Sequence, residues 1–282
     1  MSFDNIGIIY HPKNECANQL SLRAEKHLKQ KGLNIWRCSA WDTKGILNNI
    51  EDTKLLFTCG GDGTILRAAQ ITYNKDIPIT GINLGRIGFM TEINSEDTFK
   101  DIDAILEGKG RLDKRALLHT LFHQGGGKES MSFHSLNDVV VSRGEITRII
   151  HIDTFINGEH FINYKADGII VSTATGSTSY CMAAGGPVLH PNSKETVLLP
   201  ILPHLCPDYS MVLPASTVIL LQLGTNHNAT LCIDGHIHHS VKNGDTIEIK
   251  PSKYSISFLR LKPKNSFYTT LETKLKGNNT LA

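Results

Sequence analysis

Gly60-Gly61-Asp62-Gly63-Thr64 holds the residue types most suited to chemistry in this chain. It follows the apolar run Leu55-Leu56-Phe57-Thr58 and precedes Ile65-Leu66-Arg67-Ala68-Ala69-Gln70, which reads as a helix. A buried strand running into a glycine turn and a helix N-terminus gathers backbone N–H groups at the positive end of a helix dipole. That arrangement suits a phosphate. Asp62 stands in the middle of it, and a carboxylate repels phosphate. Its presence points to a base for a hydroxyl, or to a ligand for magnesium that screens the phosphates. The turn is no Walker A loop, since no Gly-Lys-[Ser/Thr] follows. It also lacks the Gly-x-Gly-x-x-Gly spacing of the dinucleotide fingerprint. Taken alone, it could still be a plain tight turn at a sheet end.

Three further segments carry more polar groups than a packed core needs. In Ser135-Leu136-Asn137-Asp138-Val139-Val140-Val141, two polar residues interrupt an apolar strand. They are either a strand end or bulge, or hydrogen-bonding groups for ribose hydroxyls or a base edge. Residues 165–180 run from an apolar strand, Ile169-Ile170-Val171, into a Ser/Thr/Gly turn and a small-residue helix. The hydroxyls and N–H groups of that turn, with Tyr180 beside them, suit phosphates and a flat base. The alternative is a solvated loop. Asp234-Gly235-His236-Ile237-His238-His239 would place His236 and His238 on one strand face. No cysteine or carboxylate neighbour completes a zinc set, so a hairpin turn with surface histidines is the better reading and no metal ligands are assigned.

The elements that must position these groups divide the chain in two. Residues 6–10, 33–38, 54–58 and 77–83 read as strands. Ala17, Leu20, Ala24 and Leu28 recur at helical spacing, and Lys29-Gln30-Lys31-Gly32 closes that helix. Strands alternating with helices predict a Rossmann-like parallel sheet, with sites at the carboxyl ends of its strands. The 60–64 turn lies at such an end, as does Asn83-Leu84-Gly85-Arg86-Ile87-Gly88-Phe89. A last helix spans residues 95–106. Strands then follow at 116–122, 132–142, 151–156, 168–172, 218–223, 230–233 and 246–250. Asn157-Gly158 and Asn243-Gly244-Asp245 mark tight turns, and Gly125-Gly126-Gly127 a hairpin loop. Only a short helical segment near 178–184 interrupts the strands. The expected fold is an α/β domain over residues 1–112 followed by a mainly β layered sandwich over 113–257.

Composition narrows the function classes. The 282 residues are 40% apolar and 20% charged, with a formal charge of +2. That balance gives no electrostatic footprint for nucleic acid or an anionic membrane. No run has the length of a membrane span, and Met1-Ser2-Phe3-Asp4-Asn5 lacks the form of a signal peptide. Six scattered cysteines without a Cys-x-x-Cys fit reduced thiols in a cytoplasmic protein.

The motifs together carry a family resemblance. Gly-Gly-Asp-Gly-Thr, Asn-Leu-Gly-Arg-Ile-Gly-Phe, Leu-Asn-Asp-Val-Val, Asp-Gly-Ile-Ile-Val-Ser-Thr-Ala-Thr-Gly-Ser-Thr-Ser-Tyr, Ala-Gly-Gly-Pro-Val-Leu-His-Pro and Asp-Gly-His occur in this order. Over nearly its whole length the chain resembles the bacterial NAD kinase family. The glycine turn alone is shared with lipid kinases and, more loosely, with phosphofructokinases. The 167–180 segment after an Asn-Asp pair is far more specific.

The resemblance implies an enzyme that phosphorylates the 2′-hydroxyl of the adenosine ribose of NAD, with ATP as donor and Mg²⁺ or another divalent cation. It makes Asp62 the catalytic base and Gly63, with Gly61 and Thr64, the phosphate cradle. Phe89 matches an aromatic of the adenine pocket. Asn137 and Asp138 match the pair that binds the dinucleotide, where the family usually has Asn-Glu. Arg148 and Lys165 match basic or polar positions near the nucleotide, and Asp167 the carboxylate at the nicotinamide end. Thr178, Ser179, Tyr180 and the small residues to Ala183 match a base- and ribose-binding turn. Ser179 stands there for the usual alanine and Ala174 for proline. Leu202 falls in a segment that reaches a neighbouring subunit's site in homodimeric or homotetrameric members, although Leu205-Cys206-Pro207-Asp208 replaces the usual serine-rich sequence. His236 matches the polar residue that closes the pocket. The resemblance sets Asp62 at the cleft between the two domains and has a tail, residues 258–282, pack back on the first domain. Two other readings compete: a diacylglycerol- or sphingosine-type lipid kinase, and a non-catalytic NAD(P) sensor. The first calls for membrane-facing apolar or basic patches that the sequence does not show. The second calls for loss of the turn's aspartate, which is present.

Overall fold

A computed structural model describes residues 3–85, 88–94, 97–125, 130–144, 148–225 and 227–277. Several sequence expectations lie outside the described residues: Arg86 and Ile87 of the second turn, Ser95 of the expected helix, Gly126 and Gly127 of the glycine loop, and residues 278–282 of the tail. The chain folds as two compact units. One comprises the residues up to Lys114 and those from Ile256 onward, and the other Arg115–Ser255.

The first unit is α/β. It runs β1 (Asn5–Tyr10), α1 (Glu15–Gln30), β2 (Asn34–Ser39), α2 (Thr43–Asn49), β3 (Leu55–Cys59), α3 (Asp62–Thr72), β4 (Ile79–Asn83), β5 (Thr91–Asn94) and α4 (Thr98–Leu106). The strands pair in parallel in the order β2-β1-β3-β4, and β5 also pairs with β4. All five residues of β3 and of β4 are buried, as expected for central strands covered on both faces. Asn14 caps α1 by accepting from the Ala17 N–H at 3.2 Å. Ala17, Leu20, Ala24 and Leu28 form the helix's buried face, packed with Ile6, Ile8, Leu55 and Phe57. Residues from the far end of the chain return here: Phe258 pairs with Ile79 of β4. The Glu92 carboxylate anchors them, accepting from the Leu261 N–H at 2.8 Å and pairing with Arg260 at 3.1 Å.

The second unit is mainly β. It contains most of β6 (Arg111–His123), then β7 (Met131–Ser135), β8 (Asp138–Arg143), β9 (Ile150–Ile156), β10 (Glu159–Ala166), β11 (Gly168–Thr173), a 3-10 turn (Gly176–Thr178), α5 (Tyr180–Ala183), β12 (Thr196–Ile201), β13 (Met211–Leu213), β14 (Ile219–Leu223), β15 (Ala229–Ile233), β16 (Ile237–Val241) and the first part of β17 (Thr246–Arg260). The last helix, α6 (Ser266–Gly277), belongs to the first unit. One antiparallel sheet has the order β13-β12-β11-β8-β15-β16, and β10-β9-β14-β17 pair in another. Val139, Val141, Ile169 and Val171 of one sheet share a core with Ile150, Ile152, Ile219 and Leu221 of the other. This is the layered sandwich. The expected 132–142 strand is two strands in different sheets, with the break at Leu136-Asn137. The two polar residues mark a strand end rather than a bulge, and a distant carboxylate holds the break open, as described below.

Candidate active site

The glycine turn carries its carboxylate on the first residue of α3. Gly61 is the helix N-cap and supplies no capping side chain. Such a terminus keeps its first N–H groups available for an anion. Gly61 and Gly63 are exposed, and a Cβ on either would meet no atom within 4 Å. The glycines therefore leave room over the turn. Thr64 is buried beside it, and its Oγ1 has no hydrogen-bond partner among the described residues.

Asp62 is half-buried and firmly oriented. Its Oδ2 accepts from the Phe89 N–H at 2.9 Å and its Oδ1 from the Met90 N–H at 3.1 Å. Those donors come from the second turn noted in the sequence. The chain passes so close that a Cβ on Gly88 would lie 2.2 Å from Asp62 Oδ1. Only glycine lets the two turns meet this way. The Phe89 ring faces α6: Lys274 Nζ sits 4.0 Å from its centroid, and the Phe267 ring is 6.4 Å away. Burial pushes the Lys274 ammonium below the usual lysine range, and the negative charge of Asp62 acts against that shift.

In the second unit, Asn137-Asp138 is held by a residue almost a hundred positions away. Asp234 accepts from the Leu136 N–H at 2.9 Å, the Asn137 N–H at 2.7 Å and the Asp138 N–H at 3.2 Å. It sits at φ 49° in the hairpin turn between β15 and β16, followed by Gly235 at φ 70°. The Asp-Gly-His segment is thus a hairpin, as its sequence indicated. Its carboxylate satisfies N–H groups that β8 leaves unpaired where the strand begins. The backbone of Asn137 is fixed again from the Ser/Thr segment. Its carbonyl accepts from the Thr173 N–H at 2.8 Å and the Ser172 hydroxyl at 3.2 Å, and a Cβ on Gly176 would lie 2.1 Å from the same oxygen. With its backbone so held, the Asn137 side chain has a buried Oδ1 without a partner among the described residues. An orphaned buried acceptor is costly unless a ligand donor completes it.

Asp138 is buried, and its Oδ2 accepts the Ser179 hydroxyl at 3.2 Å. Burial, and then the nearby charge of Asp234, push its carboxyl up to about 7, against the pull of Ser179. Near neutral pH this group both donates and accepts. Thr178 is buried, Ala183 is exposed, and Tyr180 is 47% exposed at the start of α5. Asp167 pairs with Arg143 at 3.0 Å. Arg148 and Lys165 are both exposed, and neither forms a salt bridge to Asp167 among the described residues. His236 is half-buried, with Nδ1 2.9 Å from the Asp234 carbonyl oxygen. Leu202 is 75% exposed at φ 45°.

The structure therefore groups Asp62, Gly61, Gly63, Thr64 and Phe89 in the first unit. In the second it groups Asn137, Asp138, Ser179 and His236 around Asp234. The sequence reading missed Asp234 and Arg143 as partners of the expected residues, and Gly88 as the contact of Asp62. The Asp-Gly at the hairpin tip was a visible turn signal, but nothing local shows which N–H groups its carboxylate would reach.

A parallel-sheet unit with a carboxylate in a glycine turn at a helix start is thus followed in sequence by a β sandwich with a buried polar segment. The model of the ATP-NAD kinase N-terminal domain matches residues 7–110, and that of the C-terminal domain residues 136–261. The chain is 47% identical to an NAD kinase of Dehalococcoides mccartyi, over 98% of each chain. It is 35% identical to one of Chloroflexus aurantiacus, over 97% of this chain and 99% of that one. The chain belongs to the NAD kinase family. Its fold is shared with yeast NADH kinase complexed with NADH, at a TM-score of 0.88, 23% identity, and coverage of 99% of this chain and 89% of that one. It is also shared with an NAD kinase from Archaeoglobus fulgidus in complex with ATP, at a TM-score of 0.77, 22% identity, and coverage of 95% and 98%.

Proposed function

We propose that this chain transfers the terminal phosphoryl group of ATP to the 2′-hydroxyl of the adenosine ribose of NAD, giving NADP. The observation that carries this reading is Asp62: a half-buried carboxylate, fixed by two backbone N–H groups, in a glycine turn with open space above it. As the ribose oxygen bonds to phosphorus, its proton passes to Asp62 and the donor's bridging oxygen leaves with the electron pair of the broken P–O bond. An ordinary carboxylate does not ionise an alcohol beforehand. It accepts the proton as transfer proceeds. The N–H groups at the start of α3 hold the phosphoryl oxygens.

On the acceptor side, Asn137 Oδ1 and the Asp138 carboxyl bind hydroxyl and amide groups of the dinucleotide. The exposed Tyr180 ring offers a stacking face, and Asp167 and His236 bound the same segment. Among the described residues no group of three or more His, Cys, Asp or Glu is placed to hold a metal. A divalent cation would be carried on the donor phosphates, with Asp62 as the adjoining carboxylate. Such an ion, when bound, neutralises the charge of the phosphates.

The exposed Leu202, Leu205 and Tyr209 support a homo-oligomer, a dimer or tetramer, in which a second copy covers this segment. All six cysteines are free. No helix among the described residues is long and apolar enough to cross a membrane. The lipid-kinase reading has no feature here in its favour, and the intact Asp62 argues against a non-catalytic sensor. Incubation with NAD⁺, ATP and Mg²⁺, with an NADP-specific dehydrogenase as detector, tests the reading. Absence of product from folded protein would sink it, whereas full activity in Asp62→Asn would remove only the assigned base.

A further inference from the structure

The carboxyl end of the parallel sheet carries a second cluster beside the glycine turn. Tyr10, Ser39 and Cys59 end their strands in register. The residues just beyond them, His11, Trp41 and Gly60, therefore emerge together. A Cβ on Gly60 would lie 3.3 Å from His11 Cβ and 2.3 Å from Thr64 Oγ1. His11 packs edge-on against the Trp41 ring at 5.7 Å. Lys13 Nζ lies 4.9 Å from that ring's centroid, and Arg67 of α3 is 5.7 Å from it. Trp41 is nevertheless 44% exposed. Among the described residues neither Lys13 nor Arg67 forms a salt bridge, and His11 Nδ1 is buried without a hydrogen-bond partner. The nearest acid in sequence, Asp42, caps α2 by accepting from the Gly45 N–H at 2.9 Å.

An exposed indole between two cations free of salt bridges suits a ligand with an aromatic ring and an anionic chain. Nucleobases stack on such rings with little regard to sequence. Lysine and arginine resting on an aromatic face hold weakly and have long stems, so they can turn to a phosphate chain. The cluster adjoins the turn that holds the transferring group, and it lies within the first unit alone. We propose that Trp41, Lys13 and Arg67, with His11, form the outer part of the phosphoryl-donor subsite. Trp41 stacks the donor's base, and the two cations hold its phosphates. The inference rests on the reading of the 60–64 turn as a phosphoryl-transfer site. It adds a source of donor preference: Trp41 favours a nucleoside triphosphate over an inorganic polyphosphate, while Lys13 and Arg67 serve both.

Calorimetric titration of the full chain, without NAD, with Mg-ATP and Mg-tripolyphosphate tests this separately from catalysis. Trp41→Leu is expected to weaken ATP about tenfold and tripolyphosphate less than twofold, with Trp41→Phe restoring most of the ATP affinity. The pair Lys13→Met and Arg67→Met should weaken both ligands. An ATP affinity unchanged in Trp41→Leu, or an equal loss for both ligands, would overturn the proposal. Fluorescence supplies a second measurement that needs only a conservative change. The chain has two tryptophans, and Trp36 is tied to Thr53 at 2.8 Å. Quenching by ATP that disappears in Trp41→Phe supports the subsite, and quenching that persists there contradicts it. Intact ATP binding without NADP formation would refute the assigned reaction and leave the subsite standing.

Discussion

The two units handle their carboxylates in opposite ways. In the first, Asp62 is half-exposed, receives two backbone N–H bonds and faces open space. In the second, Asp234 is buried and spends its oxygens on three backbone N–H groups, while Asp138 beside it has its ionisation suppressed. Under the proposed function, the difference separates working charge from architectural charge. A carboxylate that takes up a proton during transfer needs support on one side and access on the other. A carboxylate that shapes a binding loop needs neither access nor a change of protonation.

Removing that support should have the largest effect short of losing the base itself. In Gly88→Ala the new methyl would collide with Asp62 Oδ1. A misplacement of the order of 1 Å is expected to lower kcat about 100-fold. Steady-state kinetics beside an unchanged far-ultraviolet spectrum check this, and near-normal kcat would show that Asp62 does not depend on the second turn.

Next comes the clamp. Asp234→Asn leaves an amide NH₂ facing at least one of the N–H groups. Stability should fall by about 1–3 kcal/mol, read from denaturant midpoints. The Michaelis constant for NAD should rise as the Asn137 loop loosens, with a smaller change in that for ATP. A variant as stable as the parent would return Asp234 to an ordinary hairpin residue.

A third effect, confined to a window of pH, concerns Asp138. The Asp138 carboxyl is raised in the folded state, so folding favours its protonated form. Its contribution is fully present below the ordinary carboxylate range and is lost as pH rises to about 7. Asp138→Asn removes that loss. The variant should gain on the parent at up to about 1.4 kcal/mol per pH unit between roughly pH 4 and 7, and the gap should then level off. Parallel stability profiles across that range would contradict the suppressed charge.

Much of the first unit was legible because its signals are local. Helical spacing marked α1, unbroken apolar runs marked β3 and β4, and a glycine turn after a buried strand marked the start of α3. Turn dipeptides marked the hairpins, including the one at Asn157-Gly158, where both residues have positive φ. What escaped depends on contacts far apart in sequence. Residues 132–142 read as one strand because Val, Phe and Leu flank the interruption. The break follows from Asp234, 97 residues from Asn137. β10, β13 and β16 were missed, since half-exposed edge strands have weak alternation, and β12, although nearly all buried, contains Pro200, which argues against a strand inside a sheet. α2 is short and α6 has a mixed, largely polar sequence, so neither has a marked apolar face to announce it. The residue that pairs with Asp167 is Arg143, its neighbour across the β8–β11 sheet, and sequence spacing does not distinguish it from other basic residues.

The central claim is that Asp62 takes the proton of a ribose 2′-hydroxyl. Single-turnover phosphoryl transfer from ATP to NAD⁺ by the parent and by Asp62→Asn, with the product's phosphate located by phosphorus and proton NMR, tests it most directly. The account predicts phosphate on the 2′-oxygen of the adenosine ribose. It also predicts a transfer rate lowered about 10²–10⁴-fold in the variant, with ATP affinity within a few-fold of the parent. Equal transfer rates, or phosphate at another position, would contradict it.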